Sequence, residues 1–417
     1  MAAVTPRIRT LDTFDDPDEA LRTYVAADAA AFGFPFDPAQ VAAKAPLVDH
    51  SRYAVAEWDG EAVGGAGSYA VELTLPGGAQ VAAAAVSDVG VVPTHRRRGV
   101  LTALMREQLG SLVTQGVPVA ILHASEGGIY RRFGYGPCTS WRQVRVDTRR
   151  VAFRSDAPAV GGSLHVLPRG ESGPTCAAVH ERVRRRVAGG ISRTAPWWDA
   201  VLGDTDIYLG GTAGHLVMVH RDDAGATDGY AIYKVDHDWS AGQAHHALVV
   251  WELVGESVAV ELALWRALVE HDLVATVAGP IAVDHPLWDV VLDARQVGID
   301  WQQDHLWARP LDVAALLAAR RYSSPGRLVV GVDDPFLPQV GGSFELVVDE
   351  RGVGTCRRTE GPCELQLGVS ELGSLLLGGS SVRRLARAGR ATASPETLVR
   401  ADEMLATDPL PWCWVRF

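Results

Sequence analysis

Five cysteines in 417 residues are too few and too scattered for a disulfide scaffold. Cys138, Cys176, Cys356, Cys363 and Cys413 are odd in number, and the closest pair lacks the CxxC spacing of zinc or redox motifs. They read as reduced thiols in a cytosolic protein. His245-His246 has no carboxylate at ligand spacing, so no metal is expected. No run of about 18 apolar residues occurs, which argues against a membrane-spanning helix. The N-terminus has no apolar segment of the signal-peptide kind. Basic charge is also short. Lys and Arg total 39 against 50 Asp and Glu, a net charge of −11. That balance disfavours nucleic acid and anionic membranes as partners. It suits a cationic substrate, and it also keeps a cytosolic protein soluble. Heptad runs, low-complexity tracts and sequence repeats are missing.

What is present is a long, apolar, mixed α/β chain, 47% hydrophobic, with room for two to three domains and a sizeable core. Apolar spacing predicts a helix over 17–33, ended by Gly33, Pro35 and Pro38, with Phe34 and Phe36 in a loop. Three antiparallel strands follow within 52–92, turned by Asp59-Gly60 and by Pro76-Gly77-Gly78. Residues 151–163 read as a linker. Strands near 229–235 and 247–254 and a helix over 258–269 repeat the first region's order, without its arginine-glycine turn. From about 300, short helices at 313–319, 369–377 and 395–405 alternate with strands. The ending, with Trp412, Trp414 and Phe417, is too apolar for a loose terminus.

The stretch Val86–Tyr135 carries the chemistry. A strand runs into Arg96-Arg97-Arg98-Gly99, and Val100, Leu101, Leu104, Met105 and Leu109 follow at helical spacing. The first turn of a helix, here Val100, Leu101 and Thr102, leaves backbone N–H groups without partners at the positive end of the helix dipole. Gly99 lets a pyrophosphate approach the backbone, and the three arginines add charge for phosphate oxygens. A strand over 117–123 and a short helix capped by Ser125 then lead to Tyr130.

Arg96-x-x-Gly99-x-Leu101 resembles the acetyl-CoA signature of the GNAT superfamily, Gln/Arg-x-x-Gly-x-Gly/Ala, with Leu101 as the departure. PTHRRRGVL, ASEGGIYRRFGYGP, HLWARPLDVAALLAARRY and an aromatic terminal carboxylate resemble the enhanced intracellular survival (Eis) acetyltransferases over nearly the whole chain. The resemblance implies an α/β fold of two tandem GNAT-like domains and a sterol-carrier-protein-like α+β domain. Expected limits are 1–150, 151–300 without a cofactor site, and 301–417. It also implies acetyl-CoA as co-substrate, a cytoplasmic hexamer built as a dimer of trimers, and a primary amine as acceptor. Aminoglycosides, polyamines and lysine side chains are the candidate acceptors.

The same resemblance places coenzyme contacts at Val89, Gly90 and Val91 on a splayed strand and at Ser125 and Glu126. A backbone N–H there would polarise the thioester carbonyl. Tyr130 matches the family's proton donor. A phenol of pKa about 10 keeps its proton at neutral pH and can give it to a thiolate. The C-terminal carboxylate of Phe417 is the implied base; Asp88 or water remain rivals. Arg416 would repel a polycation if it faces the pocket, which Asp28, Asp37 and Glu126 could offset. His123 reads as a packed histidine. Arg182, Arg184, Arg185 and Arg186, near Trp197-Trp198, read as a helix face or oligomer contact more than an anion site. A non-catalytic acyl-CoA or lipid-binding scaffold is the alternative reading.

Overall fold

The computed structural model describes residues 6–202 and 214–417, which form two compact units. One gathers the chain up to Cys138, Leu306–Thr407 and Arg416–Phe417; the other holds Thr139–His305 and Asp408–Val415. Among the described residues no helix is long and apolar enough to cross a membrane.

The first unit opens with β1 (Arg7–Thr10) and α1 (Pro17–Phe32). Asp16 caps α1 by accepting from the Asp18 and Glu19 N–H groups, Pro17 suits the first turn, and Gly33 ends it in the left-handed conformation. A helix not expected from the sequence, α2 (Pro38–Lys44), follows directly, capped by Asp37. Then come β2 (Ala54–Trp58), β3 (Glu61–Thr74), β4 (Gln80–Val91), α3 (Val100–Thr114), β5 (Val119–His123), α4 (Gly127–Tyr130) and β6 (Gly136–Pro137). The sheet order is β1-β2-β3-β4-β5, then Leu306–Pro310, then β6. Only β4 and β5 pair in parallel. Along β2, Val55 packs with Leu21, Tyr24 and Val25 of α1, while its neighbours Ala54 and Ala56 pack in the cluster of Leu104, Met105 and Leu109. Alternation along a strand therefore puts α1 and α3 on opposite faces.

The α3 core is continuous with the C-terminal region, through Trp307, Val330, Phe344 and Leu372. There a five-stranded sheet runs in the order 354–359, 342–348, 326–333, 365–368, 391–393, with helices Val313–Ala319, Val369–Leu375, Val382–Arg387 and Pro395–Leu405.

The second unit is built around another seven-stranded sheet, ordered 297–304, 140–147, 274–282, 246–255, 227–236, 216–221, 163–167. Among the described residues its one parallel pair, 246–255 with 274–282, flanks the helix Val258–Val269 as β4 and β5 flank α3. Two strands are exchanged: Ser140–Asp147 pairs in this second sheet, and Leu306–Pro310 pairs with β5 in the first. Neither sheet is made from one unbroken stretch such as 1–150 or 151–300.

Arg309, on the exchanged strand, is wholly buried. Its guanidinium donates to the Phe133 carbonyl at 2.7 Å, the Pro310 carbonyl at 2.8 Å and the Asp334 carboxylate at 2.7 Å. Asp334, equally buried, accepts from the Phe336 and Leu337 N–H groups. Removing one partner of such a pair leaves a buried charge uncompensated. Arg309→Met should therefore destabilise the first unit by about 3–5 kcal/mol. Arg154→Ala, which breaks the exposed Arg154–Asp156 pair, should cost no more than about 1 kcal/mol. Urea midpoints of the two variants check the contrast.

Candidate active site

The parallel pairing of β4 with β5 runs from Ala83–Val119 to Val86–Leu122 and stops, although β4 continues to Val91. Past that point the β5-facing edge of β4, Val89 to Val91, has left the ladder. On the other edge the β3–β4 register shifts between Gly65 and Gly67, and Asp88 takes a positive φ of 54°. The bulge increases local twist and turns the strand away from β5. Gly90 is where α1 crosses β4. A Cβ there would lie 2.7 Å from the Ala31 Cβ and 3.3 Å from Asp28 Oδ1.

Gly99 stands at the N-cap of α3 with φ 85°, no side chain caps the helix, and a Cβ on Gly99 would meet nothing within 4 Å. The first turn of α3, Val100, Leu101 and Thr102, thus begins without a side-chain cap, next to exposed Arg97 and Arg98. Arg96 does something else. Its Nη2 donates to the Ala31 carbonyl at 2.7 Å and its Nε to the Val91 carbonyl at 3.3 Å, tying the end of α1 to the end of β4.

Tyr130 ends α4 and is buried, 5.9 Å from the Tyr135 ring in an edge-on contact. Burial first, then the Glu126 carboxylate, pushes its phenol up to about 12, so it keeps its proton through the neutral range. Glu126, not Ser125, occupies the N-cap of α4, without a side-chain cap bond. Bonds to the C-terminal region fix this segment: Arg309 to the Phe133 carbonyl, Ser370 Oγ to the Tyr135 carbonyl at 2.6 Å, and Arg131 to Glu371 at 3.2 Å and to Ser370 Oγ at 3.3 Å.

A polar cluster that the sequence reading missed lies between α1, α2 and β4. Lys44 Nζ pairs with the Asp88 carboxylate, and the Tyr24 hydroxyl donates to the Asp88 carbonyl at 2.5 Å. Burial works against the Lys44 charge, but Asp88 and its neighbours outweigh it and hold its pKa up. Asp28 Oδ1 is shut from solvent without a hydrogen-bond partner. Burial, then the charge of Asp88, raises the Asp28 pKa to about 7, with Lys44 pulling it back. Burial and then Asp88, Asp28, Tyr69 and Tyr130 all raise the pKa of Tyr24, so the acid candidate and these carboxylates converge on one phenol. Asp37 is no part of this cluster; it caps α2. Phe34 and Phe36 stay exposed in their loop.

The last residue reaches the end of β5, where the Phe417 ring lies 4.4 Å from the His123 ring. The tail before it is seated within the second unit. Trp412 N–H donates to the Ala188 carbonyl, and Trp414 Nε1 donates to His180 Nδ1 at 3.1 Å. Trp414 is buried, while Trp412 and Phe417 are half-buried. In that unit Arg182 and Arg186 pair with Glu256, and Arg184 and Arg185 with Glu181. The cluster is an ion-paired helix face, with Arg184 buried. His246 Nδ1 lies at hydrogen-bond distance from the Asp238 backbone. The helix Val258–Val269 is capped by Ser257, with Glu256 and Glu261 at its start. That is a poor setting for a phosphate.

Comparison with known proteins decides what this geometry belongs to. Family models described as "Acetyltransferase (GNAT) domain" match residues 17–138 and 189–310, and one described as "Sterol carrier protein domain" matches 313–414. N-acetyltransferase Eis of Mycobacterium tuberculosis is 36% identical over 356 residues, 84% of each chain. An uncharacterised N-acetyltransferase of Streptomyces coelicolor is 37% identical over 361 residues, 85% of this chain and 87% of that one. The crystal structure of Eis1 from Mycobacterium abscessus superposes with a TM-score of 0.84 at 34% identity, over 99% of this chain and 100% of that one. The chain belongs to the Eis family of GNAT N-acetyltransferases. Its fold is the expected one, two GNAT domains and a sterol-carrier-like domain. A GCN5-related N-acetyltransferase of Anabaena variabilis, 20% identical with a TM-score of 0.83 over 99% of this chain and 100% of that one, shares that fold.

As an Eis-family enzyme the protein uses acetyl-CoA. The first unit fits that molecule on two observations: the unladdered edge at Val89–Val91 and the uncapped α3 start at Gly99. Replacing both Arg97 and Arg98 by Ala tests whether these exposed cations hold the coenzyme's phosphates: if they do, KM for acetyl-CoA rises about tenfold with kcat little changed. The effect should shrink as salt rises, read from steady-state kinetics at two ionic strengths.

Proposed function

We propose that the protein acetylates primary amines by direct transfer in a ternary complex, with the site in the first GNAT domain and none in the second. The observation that carries this reading is the unladdered end of β4 beside β5; buried Tyr130 and the Phe417 ring against His123 at the end of β5 support it. Acetyl-CoA supplies an activated acyl group. Val89, Gly90 and Val91 would line its thioester, and Arg97, Arg98, Gly99 and the first turn of α3 its pyrophosphate, with Ser125 and Glu126 nearby. Arg96 would act indirectly, by holding α1 against β4. Tyr130 is the general acid, its raised pKa keeping the proton available for the leaving thiolate. In the simplest scheme the α-carboxylate of Phe417 holds the substrate ammonium and takes its proton.

Arg416, next to that carboxylate in sequence, would oppose a polycation were its guanidinium to face the amine; a monoamine, a lysine side chain, a polyamine and an aminoglycoside are the acceptors to compare. The same family reading carries over a hexameric, cytoplasmic enzyme. The scaffold alternative asks for an apolar ligand cavity. A cavity of about 280 Å³ beside the C-terminal sheet is lined by Val113, Val117, Val340 and Phe344 but also by Asp312, Gln339 and Arg358, so it is not apolar throughout. It falls below the about 300–1,000 Å³ usual for small-molecule pockets.

Thiol release from acetyl-CoA with a panel of amines tests the reading. No turnover, together with no acetyl-CoA binding by calorimetry, would sink it. Tyr130→Phe should lower kcat by about 10²- to 10⁴-fold with acetyl-CoA affinity unchanged. Extending the chain beyond Phe417 should abolish turnover and leave the melting temperature in place. Full activity of the extended protein would remove the terminal carboxylate from the mechanism.

A further inference from the structure

The second unit keeps the sheet, the parallel strand pair and the following helix of an acetyltransferase domain. The transferase reading nevertheless gives it no coenzyme. It holds the end of the chain instead. Residues Asp408–Val415 belong to the second unit, and the last two, Arg416 and Phe417, to the first.

We infer that the second GNAT domain is the seat of a C-terminal strap, and that His180 is a positioning residue for the Phe417 carboxylate. The inference rests on the transferase reading, in which that carboxylate holds the amine. Anchors fall on alternate residues of the strap, as an extended chain presents them. The Leu410 N–H donates to Asp284 Oδ2 at 2.7 Å, the Trp412 N–H to the Ala188 carbonyl at 2.9 Å, and the Trp414 indole to His180 Nδ1 at 3.1 Å. Cys413, Trp414 and Val415 are buried. Gly189 lets the strap lie close: its φ is 95°, and a Cβ there would lie 2.9 Å from the Trp412 carbonyl oxygen.

His180, on the helix Arg169–Arg184, is itself buried. Its Nε2 lies 2.9 Å from the Ile191 carbonyl oxygen. A carbonyl only accepts, so Nε2 carries the ring proton and Nδ1 is the acceptor for the indole. One tautomer serves both bonds. Burial, then the charge of Arg193, lowers the His180 pKa well below the ordinary histidine value, so the ring stays neutral and keeps that acceptor. A chain spans at most about 3.6 Å per residue, so the Phe417 Cα strays no further than about 7 Å from a fixed Val415 Cα. An unseated tail would lose conformational freedom at each encounter with substrate, whereas a seated one has lost it on folding.

The full-length protein, an amine that it turns over, and a carboxypeptidase test this. His180→Ala and Gly189→Ala should each release Phe417 to the carboxypeptidase about tenfold faster than wild type, or more, because the end of the chain opens more often. Both should lose about tenfold or more in kcat, as a misplaced carboxylate costs, with KM for acetyl-CoA unchanged. His180→Asn, whose amide oxygen can accept the indole N–H, should recover most of that kcat. Gly225→Ala is the control. Gly225 has a φ of 83° in the same unit, and a Cβ there would meet nothing within 4 Å. Its substitution strains the backbone without touching the strap and should move neither readout. Release of Phe417 at the wild-type rate in both strap variants, a kcat within about threefold of wild type in both, or equal losses in Gly225→Ala would each overturn the inference and leave the transferase reading standing. A wild type that turns over no amine overturns both.

Discussion

Two parallel strands that stop pairing halfway leave backbone donors and acceptors facing a gap, and the rest of the first domain is arranged around that gap. A bulge at Asp88 opens it, α1 covers one side, and α3 begins where β4 ends. The bulge is held open from behind: Lys44 takes the Asp88 carboxylate and Tyr24 its carbonyl. A non-glycine residue at positive φ costs about 1–2 kcal/mol, so these partners offset strain that an isolated strand would relax. The second domain keeps the parallel pair and the following helix. A serine caps that helix beside two glutamates, where the first domain has an arginine-glycine turn. One architecture thus carries two different strand-to-helix junctions.

The C-terminal domain contributes more than its own core. Arg309, Ser370 and Glu371 fasten the short segment that carries Tyr130, each through a backbone carbonyl or an arginine of that segment. A four-residue helix that opens on two glycines and runs into a single 3-10 turn has little stability of its own. A buried arginine that spans three chain segments fixes one geometry for it, and its dependence on complete pairing makes that geometry specific more than it makes it strong.

Much of this was legible in the sequence. The helix over 258–269 and the strands around 63–75 and 80–92 follow from periodicity and turn residues, and the Arg-Gly turn stands where its local chemistry puts it. What was hidden depended on partners distant in sequence. Arg96 reads as a phosphate ligand beside Arg97 and Arg98, but the Ala31 carbonyl, 65 positions earlier, claims it. Lys44 gives no signal in the sequence, because α2 is short, follows a loop with two prolines and shows little amphipathic pattern. Asp28 reads as one carboxylate among alanines until β4 is laid against its helix. The strand exchange was equally invisible, since Ser140–Asp147 and Leu306–Pro310 have strand character whichever sheet they join.

That exchange has a consequence for how the protein is made. On the ribosome, β5 emerges about 180 residues before the strand that will lie beside it, and until then it is an open sheet edge. The first domain therefore cannot close as a unit during synthesis, contrary to the usual domain-by-domain order. Its sheet waits for residue 310, and the segment carrying Tyr130 waits further for Asp334 and Glu371. An enzyme assembled in this order has no active partial product. Chains released early would expose a strand edge and hold no complete site, which makes them natural clients for chaperones and proteases.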